Sequence, residues 1–304
     1  MSIKNYKVAA ALAIFCTLLW GTAFPFIKVG YAQFGIEGND IGSKLLFAGA
    51  RFTLAGIMVL FIFLVKNKHL PKIEKNGIMP VMLLGSVQTF GQYIFTYIGI
   101  GFTSGANTSV ITACATFFTV LFAPLFFKSD KLNICKIIGC VLGFCGVLCV
   151  NSGGVTVDTL FGDFMILMST LSAAAGNFIS KGIVRDREPI SVTGFQLLFG
   201  GILLLIAGFV TGGKLDFSSI KALLVLLWLA FVSAAAFAIW TALLKHHPAS
   251  RICVFNLLVP VFGTLLSGIM LGESVFGIET IVSVVLICAG IFISNMQIKK
   301  RCER

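Results

Sequence analysis

Ten stretches of about 18 to 25 mostly apolar residues alternate with short polar breaks along this chain. They lie near 8–29, 42–65, 78–97, 104–127, 133–151, 161–180, 191–210, 222–244, 250–271 and 277–297. At about 1.5 Å per residue, a helix of that length covers a hydrocarbon core of roughly 30 Å. A closed barrel would need alternating segments of about ten residues, which this pattern lacks, and backbone in lipid must satisfy its own hydrogen bonds. The pattern predicts an all-α integral membrane protein with ten transmembrane helices. The first stretch follows Lys4 and Lys7 as a secretion signal would. It is longer than a signal core and has no clear small-residue cleavage site, so it reads as a retained first helix.

Composition narrows the class further. With 58% hydrophobic residues, 12% charged residues and a mean hydropathy of +1.00, the chain lies far from soluble domains, whose charged fraction is about twice as high. The placement of Lys and Arg tests the helix count, because short cytoplasmic loops are enriched in positive charge. With a cytoplasmic N-terminus, 18 of the 23 basic residues fall inside. Lys28 and Lys44 then sit at outer helix ends, Arg51 within a helix, and Lys214 and Lys221 in an outer loop. Both termini are expected in the cytoplasm. The net charge of +11 thus reads as a basic inner face meeting anionic lipid, not as a nucleic-acid surface. The nine cysteines show neither metal-ligand spacing nor an extracellular framework, and they read as small packing residues.

An internal repeat organises the chain. A shift of 144 residues overlays Phe118 on Phe262, Leu121 on Leu265, Ile134 on Ile278, Val141 on Val285 and Gly146 on Gly290. A shift of 145 overlays Gly56 on Gly201, Ile57 on Ile202 and Leu60 on Leu205. The reading is two five-helix repeats, 1–151 and 152–304, forming one membrane domain. Five is odd, so the second copy enters the membrane inverted. Inverted repeats are a recurring device of secondary transporters, in which one half rocks against the other around a site near the midplane.

Several residues carry a family resemblance. Trp20, Gly21, Thr22, Phe24 and Lys28 in helix one, Arg51 and Phe52 in helix two, and the run from Pro260 through Leu271 to Gly272 and Glu273 resemble the drug/metabolite transporter superfamily, specifically its EamA-type exporters. The resemblance spans the whole chain. It implies ten helices in two inverted repeats and export of amino acids or other small metabolites. The first repeat departs from the pattern, with Thr116 at the position of Pro260 and Ser129 at that of Glu273.

Arg51 is the sharpest single residue, because about nine residues of helix place it roughly 14 Å into the membrane. A cation there costs about 2.5 to 3.5 kcal/mol on insertion scales and normally faces a cavity or a partner. All twelve acids fall at or near the two surfaces, so two readings stay open for Arg51: a structural cation capping broken backbone, or a contact for an anionic substrate. Gln88 and Gln92 stand four apart on helix three beside Tyr93, where amides either bind helices together or line a cavity. Asn107, Thr112, Asn177, Gln196 and Asn256 are candidates of the same kind, and Gln196 matches Arg51 under the 145 shift. Trp20 and Lys28 are further candidate substrate contacts, with packing and snorkelling as their plain alternatives. Pro25 is expected to kink helix one and free backbone groups near Lys28. Asp163 and Glu273 at the outer rim are the groups available for coupling or gating.

Motifs of intramembrane enzymes (HExxH, GxSG, GxGD, DDxxD) do not occur, and neither a channel filter nor a charged ring is visible. No metal or cofactor is expected. The expected partners are a small-molecule substrate and the lipid bilayer. The sequence therefore predicts a plasma-membrane permease exporting small polar metabolites, amino acids or related compounds. Drug export and sugar-phosphate or nucleotide-sugar exchange are the alternatives that use the same architecture.

Overall fold

A computed structural model of the chain describes residues 3–38, 40–69, 71–100, 102–103, 105–151, 160–271 and 278–296. These form helices α1 (Tyr6–Gln33), α2 (Ile41–Asn67), α3 (Lys75–Ile100), α4 (Gly105–Phe126), α5 (Ile134–Asn151), α6 (Leu160–Val184), α7 (Pro189–Val210), α8 (Ile220–His246), α9 (249–271) and α10 (Ile278–Asn295). Among the described residues, α1, α2, α3, α7, α8, α9 and α10 are long and apolar enough to cross a membrane. The apolar helical parts Ile111–Phe126 and Ile134–Cys149 of α4 and α5 are shorter. At 25 residues α6 is long enough, but Asp163, Asn177, Ser180 and Lys181 dilute it. The protein is a multi-span, all-helical membrane protein.

Most helices outrun the apolar stretches by a few residues. Apolarity stops where lipid ends, whereas helical hydrogen bonding continues until a cap stops it. The side chains of Asn5, Asp40, Glu188 and Ser219 accept from backbone N–H groups in the first turns of α1, α2, α7 and α8. Hydrogen bonds from Ser43 hold the Asp40 carboxyl below the usual carboxylate range. Two of the helices depart locally from α geometry. Gly85–Gly91 of α3 is π-helical, and Val254–Leu257 of α9 is a 3₁₀ segment between Ala249–Cys253 and Leu258–Leu271.

Close packing between the two parts of the chain rests on glycine. Along α2 and α7, Gly49 meets Leu205 and Gly56 meets Leu198, while Gly194 meets Leu60, Gly201 meets Thr53 and Gly208 meets Leu46; just beyond the end of α7, Gly213 meets Gly42. Positions rise along one helix as they fall along the other, so the pair is antiparallel. A Cβ on Gly56 would lie 2.5 Å from the Leu198 nitrogen, so only hydrogen fits. On α5 and α10, Gly139 meets Gly290 and Ser294, and Gly146 meets Ile287, again antiparallel. Lipid is as apolar as a leucine side chain, so helices gain little from burying apolar surface against each other. Close van der Waals contact does the work, and small residues permit it.

The remaining neighbours follow a pattern. α1 packs on α8 and α9, α6 packs on α3 and α4, α2 touches α8, and α7 touches α3. Exchanging each helix with the one five places along converts these contacts into one another. Helices α5 and α10 each have 18 residues and begin at 134 and 278, while α4 and α9 begin at 105 and 249.

Loops gather at two ends. At one end the His247 ring meets the Ile3 carbonyl, Arg187 donates to the Asn76 carbonyl, Lys245 donates to the Arg187 carbonyl and Ser250 meets Asp130. At the other end the Lys214 N–H donates to Ser43 Oγ, Ser219 Oγ lies 3.3 Å from Gln33 Oε1, and Thr103 donates to Asp163. The outward surface is strongly apolar, with Leu125, Leu160, Val210 and Ile278 about four-fifths exposed. Arg51, Gln88, Asn177 and Gln196 are buried instead. Replacing Gly56 by Ile should therefore separate α2 from α7 and destabilise the fold by about 1–3 kcal/mol or more. Thermal unfolding in detergent should show this as a lower midpoint, with a broadened size-exclusion peak.

Candidate functional site

The Arg51 side chain enters the bundle roughly 15 Å along α2. It is 2% exposed, and its Nε donates to Ser233 Oγ at 2.8 Å. Ser233 is the middle residue of α8 and donates in turn to the Leu229 carbonyl at 3.0 Å. The guanidinium carbon lies 5.0 Å from the centre of the Phe52 ring. Among the described residues no carboxylate pairs with Arg51.

Aromatic rings extend from this cation in both directions. Phe52 lies 4.4 Å from Tyr93 and 6.3 Å from Phe237. Trp20 on α1 packs edge-on against Phe237 at 5.5 Å and against Trp240 at 5.1 Å. Trp240 Nε1 donates to Asn177 Oδ1 on α6 at 3.3 Å. In the other direction Tyr93 lies 6.3 Å from Tyr97, which neighbours Tyr31. The Lys44 ammonium sits 5.7 Å from the Tyr31 ring centre and donates to the Gly38 carbonyl. A column of cations, rings and an amide thus runs along α1, α2, α3, α6 and α8. Trp20 and Tyr93 are only half-buried although they lie inside the bundle. Such a column can hold an anionic group at Arg51 and flat or apolar groups against the rings.

Of the sequence-derived candidates, the structure gathers Trp20, Arg51, Tyr93 and Asn177 into this column. A second group forms at the π-helical turn of α3, a local geometry frequent at functional sites. There Thr89 donates to Gln196 Oε1 at 2.8 Å, and Gln196 Nε2 is buried without a partner among the described residues. Gln88 is buried, and a Cβ on Gly176 of α6 would lie 2.6 Å from its side chain. Gln92 is half-buried, and its backbone carbonyl accepts from Thr96, whose hydroxyl is 2.6 Å from Ser169 Oγ on α6. Gln88 thus packs against α6, while Arg51 and Gln196 turn to different neighbours: one contacts α8, the other α3.

The other candidates lie apart from the column. Lys28 and Thr112 are exposed, and Asn256 lies in the 3₁₀ segment with Oδ1 buried and unpartnered among the described residues. Asn107 is on α4, with its side chain outside the described set, and Glu273 lies outside the described residues. Asp163 is in the first turn of α6 and accepts from Thr103. Helix α1 continues through Pro25, and the carbonyl that a proline there deprives of its intrahelical N–H is that of Gly21, one turn before it, inside the Trp20–Thr22 motif.

Sequence reasoning missed Ser233, Thr89, Phe237 and the tyrosine pair. Ser233 alone left a signal, as one of two hydroxyl residues, with Thr241, amid the apolar residues of α8. It also took Asp130 as an inner-surface acid, whereas the structure buries it completely. Replacing Thr89 by Val should strand both ends of the Gln196 amide and cost about 1–3 kcal/mol. Denaturant or thermal unfolding of that variant beside Gln196→Leu, which removes the stranded group, would check this, the second change being the milder.

Buried polar groups inside an apolar multi-helix shell suit a membrane transporter, and sequence comparison identifies one. The profile of the EamA-like transporter family matches residues 7–152 and again residues 160–296. The chain belongs to the EamA-like transporter family, within the drug/metabolite transporter superfamily. It is 26% identical to the uncharacterized transporter YoaV of Bacillus subtilis, over 94% of this chain and 96% of that one. It is 29% identical to a protein of Salmonella typhimurium named "Probable amino-acid metabolite efflux pump", over 93% of each chain. A solved crystal structure superposes with a TM-score of 0.80 over 96% of this chain and 98% of that one, at 17% identity, and shares the fold. The protein is a multi-pass integral membrane transporter of small molecules, not an enzyme.

Proposed function

We propose that this transporter exports small polar metabolites bearing a carboxylate, amino acids or related compounds, across the plasma membrane by alternating access. The observation that carries the reading is Arg51, a buried guanidinium bonded to a neutral serine with no carboxylate paired to it among the described residues. A cation so placed inside the bundle is half of an ion pair, and a substrate carboxylate supplies the other half. Trp20, Tyr93, Phe237 and Trp240 then meet the remainder of the substrate. The name of the Salmonella relative supports the amino-acid class.

In this reading all ten helices span the membrane, as two inverted five-helix repeats, 1–151 and 152–304, with both termini in the cytoplasm. Support comes from the double match of the family profile, the shared 144-residue offset of α4/α9 and α5/α10, and the antiparallel packing of α2 on α7 and of α5 on α10. The end holding Ile3, Asn76, Arg187, Lys245 and Ser250 is the basic, cytoplasmic one. Asp163 and Glu273 at the far rim are left as the gating or coupling acids, and exchange without proton coupling is the simpler mechanism.

Counterflow of labelled amino acids in proteoliposomes, with and without a pH gradient, tests the substrate class. Exchange should accelerate without the gradient, and Arg51→Gln should lower it about tenfold or more at normal expression. Exchange of sugar phosphates or lipophilic cations, with amino acids inert, would overturn the amino-acid assignment.

A further inference from the structure

The loop between α4 and α5 carries the carboxylate of Asp130, which is 0% exposed. Oδ1 lies 2.8 Å from Lys136 Nζ and also accepts from Ser250 Oγ, while Oδ2 accepts from the Ser250 backbone N–H at 3.0 Å. Ser250 is the second residue of α9, a helix preceded by Pro248, whose side chain makes no cap hydrogen bond. The first N–H groups of a helix need acceptors from elsewhere, and the helix dipole favours an anion there. Asp130 supplies that acceptor from 120 positions away, across the boundary between the two matches of the family profile.

The acid sits in a floor that closes this end of the bundle. Lys181 Nζ on α6 donates to the carbonyls of Leu244 at 3.0 Å and His247 at 2.5 Å. The His247 ring contacts the Ile3 carbonyl at 2.9 Å, and Arg251 stacks on Tyr6 at 3.6 Å. One turn above Ser250, Cys253 is fully buried, and its carbonyl accepts from Thr116 Oγ1 of α4 at 3.2 Å. Within this floor, Asp130 and Ser250 make the side-chain tie between the α4–α5 loop and α9. If α9 parts from that loop, a buried carboxylate loses its acceptor role and must be met by water.

The geometry points to Asp130 as the lock of the inner gate. Its two bonds to Ser250 hold the cytoplasmic end shut, and the inward-facing state forms when water replaces them. This assignment rests on the alternating-access reading and on the proposed orientation.

The test uses the full-length chain with Cys253 as the one cysteine kept, and labelling by a membrane-impermeant maleimide in inside-out and right-side-out vesicles. Complete labelling after unfolding sets the scale. Asp130→Ala, which removes both bonds, should raise the labelling rate from the cytoplasmic face about tenfold. Ser250→Ala, which keeps the backbone N–H, should raise it about threefold. Should Asp130→Ala fail to fold, Ser250→Ala alone decides. Labelling of the folded variants at the parent rate would overturn the lock. Faster labelling confined to right-side-out vesicles would overturn the orientation while leaving Asp130 as a lock.

Discussion

Every group in this protein that can hydrogen-bond and faces away from water must find its partner in the chain, because hydrocarbon offers none. That constraint explains why helices fill the described structure and why their polar side chains turn inward. It also explains the character of the internal contacts. Arg51 meets a hydroxyl on α8, Thr89 meets an amide on α7 and Trp240 meets an amide on α6, each joining two helices. The hydrogen bonds that hold the bundle together are therefore also those that shape its interior. Among the described residues, the buried Nε2 of Gln196 and Oδ1 of Asn256 have no hydrogen-bond partner and are among the exceptions to that rule.

Glycine sets the scale on which these contacts form. Because α2 and α7 touch through Gly42, Gly49, Gly56, Gly194, Gly201 and Gly208, their backbones lie close enough to act as a common wall. Arg51 leaves that wall toward α8 and Gln196 leaves it toward α3. The two residues, 145 positions apart, thus serve different neighbours. The column beside Arg51 is consequently rich in rings and cations, while the place beside Gln196 is filled by neutral hydrogen bonds.

The all-helical, multi-span character was legible in the sequence because lipid imposes a simple rule on length and polarity, and a 144-residue offset separates the starts of α4 and α9 and of α5 and α10. Arg51 was legible for the same reason, as a charge in a run of apolar positions. What the sequence concealed depends on geometry that no single residue encodes. The π-helical turn at Gly85–Gly91 and the 3₁₀ segment at Val254–Leu257 lie within apolar runs that read as continuous helix. Such turns reassign which side chains share a face, and the Gln88–Gln92 stripe divides into one buried amide and one half-buried neighbour. Asp130 was hidden for another reason: its neighbours in sequence are polar, whereas its burial comes from Ser250, far along the chain.

The interlocked glycines also restrict how the protein can change shape. Teeth set this deeply allow neither sliding along the pair nor rotation of one rod past the other, since a shift of half a turn would drive Leu198 or Leu205 into backbone. Both interlocked pairs, α2 with α7 and α5 with α10, join an early helix to a late one. Any motion that parted α1–α5 from α6–α10 would have to strip both sets of teeth. The helices outside these two struts are α1, α3, α4, α6, α8 and α9, and the irregular turns lie in two of them, α3 and α9.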